Sequence, residues 1–153
     1  MDYAEVILRL GVATLIGAAI GLNRDLHGKP TGVRTLGLVS LGSALIVIAG
    51  SHFGSPAPDP NAASRIIQGI ITGIGFLGVG VIVRRPGRNV HGLTTAACIW
   101  LTAGIGVACG VAAWPAVVVA VPFILVLLIF GGRVERALHG LLGGETKDDA
   151  ELS

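Results

Sequence analysis

Five apolar stretches run along this chain, and short polar stretches separate them. A helix needs about 20 apolar residues to cross a bilayer core of ~30 Å, and most of the five approach that length. The pattern therefore predicts an all-α, polytopic membrane helical bundle of about five transmembrane helices over residues 1–132, followed by a short polar tail at 133–153. The apolar stretches are approximately residues 4–22, 36–50, 66–83, 93–112 and 116–130.

The third apolar stretch, from Arg65 to Arg85, is rich in glycine, and we expect it to form the central helix of the bundle. Glycine lets two helix backbones approach closely in lipid, where no hydrophobic force draws helices together. Three of these glycines are four and seven residues apart, so they share one helical face. The sequence leaves open whether that face packs inside the bundle or against a partner. The glycines are Gly69, Gly73, Gly75, Gly78 and Gly80.

Smaller glycine pairs occur in two other stretches. Gly17 and Gly21 are four residues apart in the first stretch, and Gly106 and Gly110 are four apart in the fourth. Each pair offers a face for close helix packing. The spacing Gly73-x-Gly75-x-x-Gly78 also matches a dinucleotide-binding fingerprint, but that motif needs a preceding strand and a later acidic residue. Neither is expected here, so nucleotide binding is not predicted.

Polar and helix-breaking residues place the connections. Residues 23–35 form a predicted loop, although the second helix is expected to begin near Val33 because its apolar stretch is short. Ser64 is a candidate N-cap for the third helix, and Pro122 is expected to kink the fifth. No cleavable signal peptide is predicted, because acidic residues rather than a basic region precede the first apolar run.

Composition supports a membrane protein. Hydrophobic residues make up 52% of the chain and charged residues 13%, and the mean hydropathy is +0.80. Soluble domains carry roughly 25% charged residues. The net charge of +2 is small and no basic run is interleaved with aromatic residues, so nucleic acid is not an expected partner.

Lysine and arginine counts predict the orientation in the membrane. The loops after the first and third stretches and the tail hold three such residues each. The N-terminus before Glu5 and the short turn at 113–115 hold none. Positively charged loops stay in the cytoplasm, so the N-terminus is expected outside and the C-terminus inside.

No arrangement of residues typical of an enzyme is present, so catalytic residues, cofactors and metal ligands are not predicted. Cys98 and Cys109 lie in an apolar stretch and are expected to be small buried side chains, with a functional thiol as the alternative. Glu5 and Arg9 are spaced i,i+4. They are expected to neutralise each other at the interface, with a role in a transport pathway as the alternative.

Polar residues gather at the predicted cytoplasmic ends of the first, second and fourth helices. One interpretation is that they only set the topology and contact lipid headgroups. The other is that they form a docking surface or an anion site. The candidate functional polar cluster consists of Arg24, Asp25, Arg34, Thr35, Thr94 and Thr95.

Three segments together resemble the MgtC/SapB family of bacterial inner-membrane proteins. They are IGLNRDLHGKPTGVRT at residues 20–35, RIIQGIITGIGFLGVGVI at 65–82 and VHGLTTAACIWLTAGIGVACG at 90–110. The resemblance implies a compact helical membrane domain and a link to growth at low magnesium and survival inside macrophages. It also implies a possible membrane partner, because some members bind and restrain the F-type ATP synthase.

The family elements are intact at all but one position. The usual acidic residue of the G-[LI]-E-R element is Asn23 here, which puts a cation-binding role at that position in doubt. Many virulence-associated members carry a C-terminal cytoplasmic domain, whereas this chain ends about 20 residues after its last apolar stretch and resembles a short form.

Three functions are compatible with the sequence. The first is a non-enzymatic regulator, linked to magnesium homeostasis, that contacts another membrane complex such as the F-type ATP synthase through its glycine faces. The second is a transporter or channel for Mg²⁺ or another small solute, with Asp25 or Arg34 lining a water-filled path. The third is a structural subunit of a homo-oligomer.

Overall fold

The structure, a computed structural model, describes residues 1–51, 60–82 and 92–141. This part of the chain is all-helical, and its five helices are long and apolar enough to cross a membrane, as the sequence predicts. Two predicted loops lie partly outside the described residues: the Pro-rich loop expected over 51–64, of which 52–59 are not described, and the basic turn expected over 84–92, of which only Gly92 is described. The tail beyond 141 also lies outside them. The helices are α1 (Tyr3–Leu26), α2 (Val33–Ser51), α3 (Pro60–Val81), α4 (Leu93–Gly110) and α5 (Trp114–Leu141).

The connection between α1 and α2 is shorter than the predicted loop over 23–35. Helix α1 continues to Leu26 and stops at Gly28, whose φ of 62° lies in the left-handed region that favours glycine. The amide of Gly28 bonds the carbonyl of Asp25, and the amide of Lys29 bonds that of Arg24. This is the hydrogen-bond pattern of a Schellman motif, and it leaves Arg24 inside the last turn of α1.

Two other helices are longer than their apolar stretches. Helix α3 begins at Pro60 rather than near Ser64, since proline is well suited to the first helical position. Helix α5 continues through Pro122 to Leu141, so the first nine residues of the predicted tail are helical. Long helices extend beyond an apolar stretch where no breaker ends them.

Packing divides the chain into two units, Met1–Val121 and Pro122–Ser153. In the second unit, the described residues continue α5 and expose apolar side chains such as Phe123 and Leu127. The Arg133 guanidinium lies 5.7 Å from the centre of the Phe130 ring, within cation–π range.

Helices α1, α2 and α4 form the centre of the first unit. Each of the three packs against the other two, and α3 packs against α2 and α4. Helices α1 and α4 are antiparallel, because Arg9 contacts Gly110 and Arg24 contacts Thr95. Fifteen residues separate the two contacts on each helix, which corresponds to ~22 Å along the helix axis.

The prediction that the third helix is central is wrong. In the membrane-spanning window of α3 only 6% of residues are buried, compared with 56% in α4. Helix α3 contacts the bundle along one side, where Ile70 joins Val47 and Ala103 in an apolar cluster. The other side of α3 is exposed. Helix α4 is central because its alanines, glycines and small polar residues let three neighbours approach it.

Candidate functional site

A buried arginine links the end of α1 to the beginning of α4. Arg24 is 5% exposed, and its Nη2 donates a hydrogen bond of 2.5 Å to Thr95 Oγ1. Thr95 is also buried. Arg24 Nε has no hydrogen-bond partner among the residues that the structure describes. We call this region of the bundle the Arg24 end, and it contains the two members of the predicted polar cluster that contact each other directly.

Asp25, the next residue in the sequence, contacts a different helix. Its Oδ2 accepts a hydrogen bond of 3.0 Å from the amide of Val33, the first residue of α2. The Asp25 carboxylate also lies against Gly32, where any Cβ atom would overlap it. An anionic side chain at a helix N-terminus is stabilising. Asp25 therefore caps α2, and among the described residues no carboxylate forms an ion pair with Arg24.

The first turn of α4 is positioned by Gly92. This residue has a φ of 96°, and a Cβ atom there would lie 2.1 Å from the carbonyl oxygen of Val81. Glycine is therefore required where the end of α3 passes the beginning of α4. Gly92 provides no side-chain cap for the amides of α4.

The remaining members of the predicted cluster stay apart. Arg34, Thr35 and Thr94 are exposed, and none of their side chains bonds another described residue. The structure thus reduces the six-residue cluster to two separate contacts, Arg24 with Thr95 and Asp25 with α2.

A second arginine holds α1 to the other end of α4. Arg9 Nη1 donates a hydrogen bond of 2.6 Å to the carbonyl oxygen of Gly110, and Nη2 pairs with Glu5. The predicted Glu5–Arg9 pair is confirmed. Arg9 also binds the C-terminal carbonyl of α4, a second role that the i,i+4 spacing does not show.

The closest helix contacts are made by the smaller glycine pairs. A Cβ atom at Gly17 would lie 2.6 Å from Leu36 O, and one at Gly106 would lie 2.3 Å from Ser40 O. Ser40 of α2 therefore lies between Gly17 of α1 and Gly106 of α4. We call this three-helix contact the glycine seam.

Two buried hydroxyl groups in the first unit lack a hydrogen-bond partner in the described part of the chain. They are Ser40 Oγ and Thr102 Oγ1, which belong to fully buried residues. Sequence reasoning missed both residues, because a single serine or threonine in an apolar stretch gives no signal of its own. The only signal near them is the Gly106–Gly110 pair, which predicts that α4 packs closely against another helix there.

The glycines of α3 have a different environment. A Cβ atom at Gly69, Gly73, Gly75 or Gly80 would meet no described residue within 4 Å, and one at Gly78 would lie 3.7 Å from Ala96 Cβ. Phe76 projects from the same exposed side and is 82% exposed. We call the side of α3 that carries Gly69, Gly73, Phe76 and Gly80 the open glycine face.

Other chemistry is sparse in the described part of the chain. Cys98 and Cys109 are buried and free, as expected for small apolar side chains. Among the described residues, no group of three or more histidine, cysteine, aspartate or glutamate side chains could hold a metal ion.

Comparison with known proteins places these features in a family. Residues 10–137 match the family model "MgtC family". Protein SrpB of Synechococcus elongatus is 42% identical over 144 residues, covering 88% of this chain and 79% of SrpB. Protein SapB of Bacillus subtilis is 38% identical over 138 residues, covering 88% of this chain and 60% of SapB.

Protein MgtC of Salmonella typhimurium is 46% identical over 104 residues, which cover 68% of this chain and 42% of that relative. The chain thus spans well under two thirds of some of the curated relatives it matches. No solved structure matches it. The family model covers most of the helical region described above, and the chain therefore belongs to the MgtC family of membrane proteins.

Proposed function

We propose that this protein is a non-enzymatic regulator in the bacterial inner membrane that acts by helix–helix contact with another membrane complex. The observation that carries the proposal is the open glycine face of α3. Three glycines there, Gly69, Gly73 and Gly80, leave the helix backbone uncovered, whereas the glycine pairs of α1 and α4 lie against neighbouring backbone in the bundle. Exposed glycine in lipid offers close backbone approach to a second helix.

The partner we propose is the F-type ATP synthase, with a role in adaptation to low magnesium. This partner rests on the family resemblance, and the open glycine face supplies the surface on which it would bind. Phe76 projects beside the flat glycine positions, so a complementary helix would need a small residue opposite the ring. A second copy of the chain is the competing occupant of the same face.

The rival function, transport of Mg²⁺ or another solute, finds less support in the contacts. A path along α1, α2 and α4 would cross the glycine seam, where the helices lie so close that a Cβ atom at Gly17 or Gly106 would overlap the backbone of α2. A cation entering at the Arg24 end would be repelled by the positive charge of the Arg24 guanidinium. Asp25, the candidate path residue, is engaged in capping α2.

The test is ATP-driven proton pumping in inverted bacterial membrane vesicles, with and without the protein. The proposal predicts lower pumping at unchanged synthase abundance. Gly73→Leu on the open face should restore pumping, and Gly104→Leu should not. Gly104 is a matched control because it is an equally open glycine on α4.

Two outcomes would overturn the proposal. One is that the wild-type protein, at the same abundance as the variants, does not lower pumping. The other is equal loss of the effect in both variants. Either result would direct attention to Mg²⁺ flux in proteoliposomes, where a loss of flux in Asp25→Ala or Arg34→Ala would support transport.

A further inference from the structure

The positive charge of Arg24 is buried at the positive end of a helix. Thr95, its hydrogen-bond partner, belongs to the first turn of α4. The N-terminus of a helix carries roughly half a positive elementary charge. A guanidinium that is 5% exposed therefore adds its charge to a site that already favours an anion. Burial of a charged group is costly unless the charge is compensated.

Arg9 provides an internal comparison on the same helix. It contacts the opposite end of α4, the C-terminus, where a cation is stabilising. It is also paired with Glu5. Arg24 instead contacts the N-terminus of α4, and no described carboxylate pairs with it. The negative end of α1 is close to Arg24 in sequence, but its last carbonyls already accept bonds from Gly28 and Lys29.

Among the residues that the structure describes, no carboxylate forms an ion pair with Arg24. Between Glu5 and Glu135 the sequence contains only Asp25 and Asp59. Asp25 caps α2 through the amide of Val33.

Unused hydrogen-bond donors also converge on the Arg24 end. The first amides of a helix have no partner within the helix. The first bonded amide in α4 is that of Ala96, which donates to Gly92 O. No described residue accepts a hydrogen bond from the amides of Leu93, Thr94 or Thr95. Arg24 Nε is buried and has no hydrogen-bond partner among the described residues, and Thr94, on the same turn of α4, has an exposed side chain.

We propose that the Arg24 end binds a phosphate group, held by the Arg24 guanidinium and by the first-turn amides of α4. Guanidinium and helix N-termini are the two protein groups that suit phosphate oxygens best, through forked hydrogen bonds and through free amides respectively. The phosphate can come from the headgroup of an anionic lipid or from inorganic phosphate. This site is independent of the open glycine face and of the regulatory function proposed above.

The first experiment uses the full chain, purified in a neutral detergent, and inorganic phosphate as the probe. Phosphate should raise the unfolding temperature saturably in the wild type. Arg24→Lys keeps the charge but loses the forked donor, and it should bind at least about tenfold more weakly. Arg34→Gln removes an exposed arginine of the same α1–α2 region and serves as the matched control, with binding unchanged.

The second experiment separates the two sources of phosphate. Native mass spectrometry of the protein from mixed phosphatidylglycerol and phosphatidylcholine nanodiscs should show one retained phosphatidylglycerol if the ligand is a lipid. Arg24→Gln should lose that lipid, and Arg34→Gln should keep it. Stabilisation by inorganic phosphate without retained lipid would identify the free anion as the ligand.

The proposal is overturned if neither inorganic phosphate nor phosphatidylglycerol binds the wild-type protein. It is also overturned if Arg34→Gln weakens binding as much as Arg24→Lys, because the site would then be general surface charge. The wild-type measurements decide the first point even if Arg24→Gln fails to fold, and Arg24→Lys decides the second.

Discussion

Individual glycines in this membrane domain fall into two groups, according to what a Cβ atom would meet. At Gly17, Gly21, Gly106 and Gly110 it would overlap a neighbouring helix, whereas at most glycines of α3 it would meet open space. The same residue type at the same four-residue spacing thus has two structural roles. Spacing alone does not distinguish them, because the difference lies in which helices become neighbours.

The glycine seam predicts a sharp contrast between two alanine substitutions on α4. Gly106→Ala places a Cβ atom 2.3 Å from the Ser40 carbonyl oxygen, which belongs to backbone and can move only if α2 moves. Overpacking of this kind costs about 1–3 kcal/mol. Thermal unfolding in detergent should show a lower midpoint.

Gly104→Ala is the matched control for that substitution. Its Cβ atom meets nothing within 4 Å, and alanine is a better helix former than glycine by up to ~1 kcal/mol. The midpoint should stay the same or rise. Equal destabilisation by the two substitutions would show that the seam is not where α2 and α4 touch.

The outer contact of α1 with α4 predicts an ordering of two further variants. Arg9→Met removes both the bond to the Gly110 carbonyl and the pair with Glu5. Glu5→Gln removes the pair alone. Because Glu5 is more exposed than Arg9, Arg9→Met should lower the unfolding midpoint more than Glu5→Gln. The reverse order would mean that the ion pair, rather than the helix–helix bond, stabilises this end.

Residue-level features were predictable only where they are local. The Glu5–Arg9 pair follows from an i,i+4 spacing, and the burial of Cys98 and Cys109 follows from their apolar surroundings. The bond from Arg9 to Gly110 joins residues 101 positions apart, and no local pattern encodes it. The same holds for the contact of Arg24 with Thr95.

At the scale of the helices, hydropathy predicts their number but not their ends or their positions in the bundle. The number of helices follows from the lengths of the apolar stretches, because a chain crossing lipid must form all its backbone hydrogen bonds internally, as a helix does. Helix ends were less predictable, since α1 ends at a Gly28 motif rather than at the first polar residue. Which helix is central could not be predicted, because a glycine-rich face suits either internal packing or a partner.

The exposure of α3 predicts that its glycines are dispensable for folding. Gly73→Leu should insert and unfold like the wild type, because no described residue lies within 4 Å of a Cβ atom at this position. Gly17→Leu should fail to fold, since its Cβ atom already overlaps Leu36 O and Ser40 Cβ. Size-exclusion profiles and unfolding midpoints measure both. A Gly73→Leu protein that fails to fold would show that α3 packs through its glycine face.

The whole molecule has an orientation that the charge pattern predicts and that labelling can test. His27 and Val111 are exposed residues at opposite ends of the first unit. A membrane-impermeant maleimide added to intact cells should label Val111→Cys, and His27→Cys only after permeabilisation. The wild type is the control, because Cys98 and Cys109 are buried. Labelling in the opposite order would reverse the predicted topology.

Site-specific photo-crosslinking in native membranes tests the proposed regulatory contact most directly. A photoreactive amino acid replaces Gly73 on the open glycine face or, as a control, Leu15, an exposed residue of α1. The regulator proposal predicts a crosslink from position 73 to a subunit of the F-type ATP synthase and none from position 15. A crosslink from position 73 only to a second copy of this chain, or equal yields from both positions, would contradict it.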